Sequence, residues 1–239
     1  MYTKSIKPFS NIAYFGVFSL SFFFKICYNI HMIITYLGKQ FFKIGQGSLT
    51  VAFNPISKDS KFSALASRFG SDIALSTINH PDYNGFEMVS HGENIPFEIN
   101  GPGDYEIKDI FIHGAMTQTE LSGKKYINTI YSLSIENISL CFLGAISDNK
   151  LSPAVREQID SPDILFVPIG NNELLGPSEA YKLATTLEPK IIIPMDYDEK
   201  MLKAFLKEAG QENIKPIEKL TIKAKELVGR EGEVVVLSS

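Results

Sequence analysis

Short apolar runs rich in isoleucine, valine, phenylalanine and tyrosine recur along this chain, separated by glycine, proline, asparagine and aspartate. Runs of this kind are typical of β-strands bounded by turns. The runs at 164–167 and 191–193 are continuously apolar, which favours central strands covered on both faces. The pattern predicts strands over residues 32–37, 40–44, 49–53, 73–77, 104–113, 127–135, 138–143, 163–168, 190–194 and 232–237.

Helices are predicted mainly in the second half of the chain. One covers 176–187, with Pro177 at its first helical position. Another covers 198–209, with Asp198 as its N-cap and a glycine directly after it. Weaker helical patterns cover 59–69 and 151–159. Because strands dominate first and then alternate with helices, we expect an α/β sandwich with two packed sheets and helices outside.

Residues 1–31 differ from the rest of the chain, because they contain three lysines and no acidic residue. The net charge of −4 therefore corresponds to −7 on residues 32–239. Residues 12–24 are uncharged and rich in phenylalanine, but a spanning helix needs about 20 apolar residues. A signal peptide would need small residues at a cleavage site, and none follow.

Met32 opens the first predicted strand, so the sequence predicts an apolar leader over 1–31 and one folded domain over 32–239. Translation from Met32 is the first interpretation of the leader, and a membrane anchor through 12–37 is the alternative. The acidic balance disfavours a broad basic face for nucleic acid. Cys27 and Cys141 are too far apart in sequence to form a disulfide scaffold. We expect a cytoplasmic protein with no nucleic-acid partner, and membrane contact only if the leader is retained.

Residues 72–85 form a hydrophobic strand that runs into a polar loop, with His80 and Asp82 two positions apart. This segment resembles the Thr-His-x-His-x-Asp-His motif of the metallo-β-lactamase superfamily. There, two imidazoles bind one zinc ion, and the aspartate and a further histidine belong to a second metal. The metal-bound water loses its proton near neutral pH and becomes the nucleophile.

Further segments extend the resemblance, in matching order, to essentially all of 32–239. They resemble the branch of ascorbate-6-phosphate lactonases and other zinc-dependent hydrolases. The resemblance implies a metallo-β-lactamase-like αββα sandwich, in which two mixed β-sheets pack face to face with helices outside. The matching segments are residues 32–38, 51–55, 101–107, 128–131, 140–144, 166–170 and 192–195.

The resemblance also shows that most metal ligands are replaced. Positions where the family has a histidine or a metal-bridging acid carry other side chains here, namely Lys39, Ile78, Tyr83, Ala145 and Asp196. His80 and Asp82 remain, with Asp196 as a substitute. Catalytic zinc sites use three protein ligands and water, so we expect no dinuclear centre and no resident cofactor. One divalent ion (zinc, manganese or iron) on His80, Asp82 and Asp196 is the alternative.

Lys39 stands where the family has an imidazole. Two carboxylates without a cation repel each other, which raises one pKa. We therefore predict that a Lys39–Asp82/Asp196 ion pair replaces the metal centre, with Asp82 and Lys39 as candidate catalytic residues. Simpler interpretations are that His80 caps the local backbone, that Asp82 starts a turn, and that Asp196 caps a strand end.

Two functions remain open at this point. The first is a protein of the metallo-β-lactamase fold, related to zinc-dependent hydrolases, that is catalytically silent or weak and acts as a binding or scaffold protein. Its partner would be a small-molecule ligand. The second is an active hydrolase with a mononuclear metal site, acting on a lactone, an ester or a phosphoester.

Overall fold

The computed structural model describes residues 31–159, 161–170 and 173–239, and it contains two mixed β-sheets. The strands of the first sheet are β1 (Met32–Tyr36), β2 (Phe42–Gln46), β3 (Leu49–Phe53), β4 (Ile73–Leu75), β5 (Phe97–Ile99) and β12 (Lys219–Ile222). They lie in the order β12-β1-β2-β3-β4-β5. Strands β1, β2, β3 and β12 pair antiparallel, whereas β3, β4 and β5 pair parallel.

The second sheet has seven strands, which are β6 (Gly103–Ile107), β7 (Ile110–Leu121), β8 (Lys124–Ile135), β9 (Ile138–Phe142), β10 (Ile164–Pro168), β11 (Ile191–Met195) and β13 (Glu233–Val234). They lie in the order β13-β11-β10-β9-β8-β7-β6. Strands β6, β7, β8 and β9 pair antiparallel, whereas β9, β10, β11 and β13 pair parallel.

The two sheets pack face to face through aromatic side chains. The ring centroids of Phe53 and Phe142 lie 4.7 Å apart, and those of Phe42 and Phe166 lie 4.9 Å apart. All four side chains are fully buried, and each such burial stabilises the fold by about 1.5–3 kcal/mol. Every residue of β10 and β11 is buried, as their continuous apolar runs predicted.

The helices α1 (Pro153–Glu157), α2 (Pro177–Leu187) and α3 (Glu199–Glu208) follow β9, β10 and β11 in the chain. Leu183 of α2 and Phe205 of α3 are buried against Leu165 and Val167, on the outer face of the second sheet. Asp198 is the N-cap of α3, where its Oδ1 accepts a hydrogen bond from the backbone N–H of Met201 at 2.8 Å. The predicted α/β sandwich is therefore confirmed.

The predicted helix over 59–69 is wrong, because only a 3-10 turn forms there, at Ser63–Leu65. The hydroxyl of Ser57 accepts the N–H of Asp59, and that of Ser60 accepts the N–H of Phe62. Such bonds compete with helical hydrogen bonding. This irregular segment packs over the outer face of the first sheet, where the resemblance implied a helix.

The predicted strand over 104–113 is interrupted by a turn at Lys108 and Asp109, both of which have positive φ angles (53° and 62°). It divides into β6 and β7, which pair as a hairpin. Two further strands, β5 and β12, were not predicted. Both are short and lie at the edges of the first sheet, where a long apolar run is not required.

Residues 1–30 are outside the described part of the chain, and so is nearly all of the predicted leader over 1–31. Of the alternative anchor over 12–37, Met32–Tyr36 form β1 and pair with two neighbouring strands. Among the described residues, no helix is both long enough and apolar enough to cross a membrane.

Asp163 joins three segments at the start of β10. Its Oδ2 accepts hydrogen bonds from the backbone N–H and hydroxyl of Ser139, at 2.8 and 3.1 Å, and Lys190 Nζ lies 2.6 Å from its Oδ1. Burial raises the pKa of Asp163, but the bonds from Lys190 and Ser139 outweigh it and hold the pKa below its ordinary value. The carboxylate therefore stabilises the junction of β9, β10 and β11.

We expect Asp163→Asn to lower the free energy of unfolding at pH 7 by about 1–2 kcal/mol, because it removes a charged acceptor. A carboxyl group with a lowered folded-state pKa stabilises above its unfolded pKa of about 3.9, and this contribution is lost as the pH falls through the folded value. The difference from wild type should therefore shrink below about pH 4. Urea unfolding at pH 7 and pH 3 measures it, with the exposed Glu212→Gln as control. An equal deficit at both pH values would contradict this assignment.

Candidate functional site

Lys39, Asp82 and Asp196 meet at one edge of the sandwich, although they come from distant parts of the chain. Lys39 lies in the turn between β1 and β2, Asp82 in the loop after β4, and Asp196 directly after β11. The carbonyl of Lys39 accepts hydrogen bonds from the Asp196 N–H and the Tyr36 hydroxyl, both at 2.8 Å. These bonds join a turn of the first sheet to a strand end of the second.

The predicted ion pair is present. Lys39 Nζ lies 3.3 Å from Asp196 Oδ1 and 4.0 Å from Asp82 Oδ2, and all three side chains are at most 10% exposed. The same ammonium lies 4.3 Å from the ring centroid of Phe62 and 5.7 Å from that of Tyr83. Aromatic faces attract cations, so carboxylates and rings together surround the ammonium.

The second oxygen of each carboxylate is held by a neutral donor. Asp82 Oδ1 accepts a hydrogen bond from the Ser60 hydroxyl at 2.5 Å, and Asp196 Oδ2 accepts one from Gln40 Nε2 at 3.3 Å. Asn54 Nδ2 donates in turn to Gln40 Oε1 at 3.2 Å. The carboxylates are therefore oriented before any ligand arrives.

Asn54 extends this network into the interior. It is fully buried with a positive φ of 46°, its Oδ1 accepts the backbone N–H of Thr77 at 2.8 Å, and its Nδ2 also donates to the Thr77 hydroxyl at 3.0 Å. The site thus rests on buried, mutually bonded side chains rather than on a surface loop.

Burial and charge shift the pKa values of two groups in the site. Burial raises the pKa of Asp196 above its ordinary value, although Lys39 and Gln40 act in the opposite direction, and the charge of Asp82 adds to the rise. Burial, followed by the charges of Asp196 and Asp82, raises the pKa of Tyr83 well above its ordinary value. Tyr83 is therefore a buried phenol beside two carboxylates.

His80 lies beside this cluster and is partly exposed. Its Nδ1 accepts the backbone N–H of Asp82 at 3.2 Å, and its side chain is 32% exposed. Its carbonyl accepts the N–H groups of Tyr83 and Asn84. These contacts agree with the interpretation of His80 as a loop residue that binds local backbone. The carboxylate of Asp196 contacts Gln40 and Lys39, and the interpretation of Asp196 as a cap of the segment that follows the strand stays a prediction.

Three positions where the family has metal ligands form part of one apolar cluster. Ile78, Tyr83 and Ala145 are buried together with Leu121 and Leu174. Carbon-rich side chains therefore fill the space on this side of Asp82.

The side chains present do not fit a divalent metal in this arrangement. Within the described residues, no group of three or more His, Cys, Asp or Glu side chains is placed to hold a metal ion. The Lys39 ammonium faces the two carboxylates that a metal would need, and His80 Nδ1 accepts a backbone hydrogen bond. The alternative ligand set of His80, Asp82 and Asp196 is consequently not assembled.

The cluster lies in a cleft of about 890 Å³, a size that suits a small molecule. Tyr36, Phe62, Tyr83 and Tyr197 provide aromatic wall. Among the described residues, the acidic side chains outnumber the lysines. They are Asp59, Asp82, Glu173, Asp196 and Glu199, against Lys39 and Lys61.

Sequence reasoning missed four residues of the site. Asn54 lies within the matching segment 51–55, but no local pattern indicated its contacts with Gln40 and Thr77. Gln40, Ser60 and Phe62 carried no signal, and Ser60 and Phe62 lie in the segment wrongly predicted as a helix. Their roles depend on contacts between distant parts of the chain.

We expect Lys39→Met to lower the free energy of unfolding at pH 7 by about 3 kcal/mol, because it leaves two buried carboxylates without a cation. Their mutual repulsion raises their pKa in the folded state. A carboxyl group with a raised folded-state pKa binds its proton more tightly when folded, so the stability of the variant recovers as the pH falls toward that value. Denaturant unfolding between pH 8 and pH 5 measures both effects.

Lys43→Met is the matched control, because Lys43 Nζ lies 4.6 Å from the ring centroid of Phe69 and, within the part of the chain that the structure describes, forms no ion pair with a carboxylate. It should cost less than about 1 kcal/mol and show no such pH dependence. Adding Asp196→Asn to Lys39→Met should restore part of the loss. Equal stability of Lys39→Met and wild type at pH 7 would refute the structural role of the ion pair.

Comparison with known proteins places these observations in a family. Residues 33–196 match the family model of the beta-lactamase superfamily domain. A UPF0173 metal-dependent hydrolase of Listeria welshimeri is 28% identical over 200 residues, covering 70% of this chain and 86% of that protein.

Solved structures show the same relationship. A protein of Thermotoga maritima, assigned to the Zn-dependent hydrolases of the metallo-β-lactamase superfamily, superposes with a TM-score of 0.70 at 27% identity, over 87% of this chain and 98% of that one. A protein of Parabacteroides distasonis, assigned to the metal-dependent hydrolases, shares the fold with a TM-score of 0.61 at 16% identity, over 88% and 95% of the two chains. The family model and the shared fold show that this chain belongs to the metallo-β-lactamase superfamily.

Proposed function

We propose that this chain is a metal-independent member of the superfamily that is catalytically silent or weak and binds a small molecule in the cleft. The observation that carries the proposal is the position of Lys39, whose ammonium lies 3.3 Å from Asp196 and 4.0 Å from Asp82. The lysine supplies the positive charge that these carboxylates need.

An ammonium cannot perform the chemistry of a metal centre. A bound metal polarises a carbonyl or phosphoryl oxygen and lowers the pKa of its water to near 7. Lys39 donates hydrogen bonds and carries one charge, but it offers no open coordination position. In this proposal Lys39 and Asp82 therefore bind and orient a ligand, and neither generates a nucleophile.

The surroundings of the ion pair support a binding role. Gln40 donates a buried hydrogen bond to the carboxylate of Asp196, and Asn54, which also bonds Thr77, holds the side chain of Gln40. The hydroxyl of Ser60 donates to the carboxylate of Asp82. Pre-oriented polar groups at the floor of a partly aromatic cleft provide orientation and specificity at small entropic cost. A small-molecule ligand is therefore the partner that we propose, with no nucleic acid.

The second candidate is an active mononuclear metal-dependent hydrolase of a lactone, an ester or a phosphoester. Family membership and the names of the relatives favour it, as does the presence of His80 and Asp82. It would require Lys39 to leave both carboxylates and His80 to release the backbone of Asp82. We rank it second because each of these contacts would have to be broken.

The proposal includes a cytoplasmic location and a start of translation at Met32, with membrane contact only if the leader is retained. Its support is the absence of small residues at a cleavage site after residue 24. The mass of the native N-terminus tests this directly. A chain that begins at Met1 and fractionates with membranes would favour the anchored alternative.

We expect the purified protein to contain far less than one equivalent of zinc, manganese or iron. Elemental mass spectrometry of the full chain and of the chain from Met32, both purified without chelator, measures this. Chromogenic esters and phosphoesters should be hydrolysed no faster than by a Lys39→Met/Asp82→Asn variant, because no metal-bound water is available.

His80→Ala is the matched variant, and the Thermotoga maritima relative purified in the same way is the positive control. Near-stoichiometric metal that disappears in His80→Ala would overturn the proposal and favour the mononuclear hydrolase. Metal far below one equivalent in both proteins, with a loaded control, would support it.

A further inference from the structure

We infer that Asp82, Asp196 and the face of Phe62 form a binding site for a primary alkylammonium group, and that the chain's own Lys39 occupies it. The inference deepens the proposed function and rests on it, because it states what the former metal region now recognises. A metal site that is merely blocked by a lysine would still offer metal-binding donor atoms, whereas the surroundings here are two carboxylates and an aromatic face.

The environment of the Lys39 ammonium combines the two groups that attract organic cations. One carboxylate lies on each of two different loops, at 3.3 and 4.0 Å, and the Phe62 ring centroid lies 4.3 Å away. The lysine side chain is only 10% exposed. A desolvated cation gains more from an aromatic face than an exposed one does.

Each of the two carboxylates has one oxygen that accepts from a neutral donor and one that faces the ammonium, an arrangement that suits one compact cation. Asp82 Oδ1 and Asp196 Oδ2 accept from Ser60 and Gln40, while Asp82 Oδ2 and Asp196 Oδ1 face the ammonium. An ammonium presents three N–H donors around a small charge. It can therefore interact with two acceptors that lie in different directions.

A divalent metal would find this environment poor. It needs carboxylate oxygens at about 2.0–2.2 Å and further nitrogen, sulfur or oxygen donors around it. Phe62, whose ring faces the ammonium of Lys39, offers no donor atom, and the side chains of Ile78 and Ala145 contain only carbon. The surroundings therefore favour an ammonium over a metal even if Lys39 is removed.

The backbone at residue 39 allows this to be examined directly. Lys39 has a φ of +52°, which glycine adopts without the strain that a side chain introduces. The turn is closed by backbone hydrogen bonds of Leu37, Gly38 and Phe41, and the carbonyl of residue 39 accepts from Asp196 and Tyr36. None of these bonds uses the side chain of residue 39, so a glycine variant can keep them. Lys39→Gly thus leaves a channel with the length of four carbons and an ammonium.

The experiment measures the urea midpoint of full-length Lys39→Gly and Lys39→Ala at pH 8 with added amines. We expect n-butylammonium chloride to raise the midpoint of Lys39→Gly, with a shift that grows with the logarithm of its concentration above a Kd of roughly 1 mM. Lys39→Ala should respond more strongly to n-propylammonium, because its methyl group occupies the place of one carbon.

Matched controls separate occupancy of the site from general salt effects. Sodium chloride and tetramethylammonium chloride at equal ionic strength should have less than a third of the effect, since tetramethylammonium has no N–H donor. The wild type and Lys43→Ala, in which Lys39 still fills the site, should show no response specific to n-butylammonium.

Three results would overturn the inference. The first is a response of Lys39→Gly to zinc or manganese chloride in place of the amine. The second is an equal response to tetramethylammonium, and the third is no response to any amine. If the wild type contains no metal, any of these three results refutes the inference alone and leaves the proposed function unaffected. Stoichiometric metal in the wild type would instead refute the proposed function.

A measurement on the wild type keeps the inference testable if neither variant folds. Reductive methylation with formaldehyde and cyanoborohydride, mapped by peptide mass, should modify Lys39 at least about tenfold more slowly than Lys43 and Lys61, because Lys39 Nζ is enclosed by two buried carboxylates and the Phe62 ring. Comparable rates at the three lysines would overturn the inference.

Discussion

The ammonium of Lys39 holds together parts of the chain that belong to different sheets. Asp82 follows a strand of the first sheet, and Asp196 follows a strand of the second. Both carboxylates are almost fully buried, and a buried charge without a partner is costly. The edge where the two sheets meet therefore depends on one cation, whichever group supplies it.

This constraint makes the replacements in the site mutually consistent. Losing a metal while keeping two buried acids would leave uncompensated negative charge. Lys39 supplies a cation 3.3 Å from Asp196 and 4.0 Å from Asp82, and position 145 carries an alanine. Ile78 and Tyr83 are buried in an apolar cluster with Ala145, Leu121 and Leu174. The raised pKa of Asp196 shows that compensation by Lys39 does not fully offset burial.

The sequence was informative where one local pattern determines the outcome. Continuous apolar runs predicted β10 and β11, and Asp198 predicted the start of α3, because burial and capping depend on neighbouring residues. The helix over 59–69 failed because serine hydroxyls bind the backbone there. The short strands β5 and β12 depend on partners remote in sequence.

The sequence predicted the charged residues of the site but not the neutral residues that contact them. The family motif drew attention to Lys39, Asp82 and Asp196, and opposite charges beside a shared cleft imply an ion pair. The roles of Gln40, Asn54 and Phe62 depend on how loops from two sheets meet, which no local pattern encodes. The sandwich is held by apolar packing between the two sheets, such as that of Phe53 against Phe142. A fold stabilised in this way tolerates a change of chemistry at its edge, provided that the buried charges remain balanced. For this chain, charge balance at Lys39 is therefore a better guide to function than the fold that surrounds it.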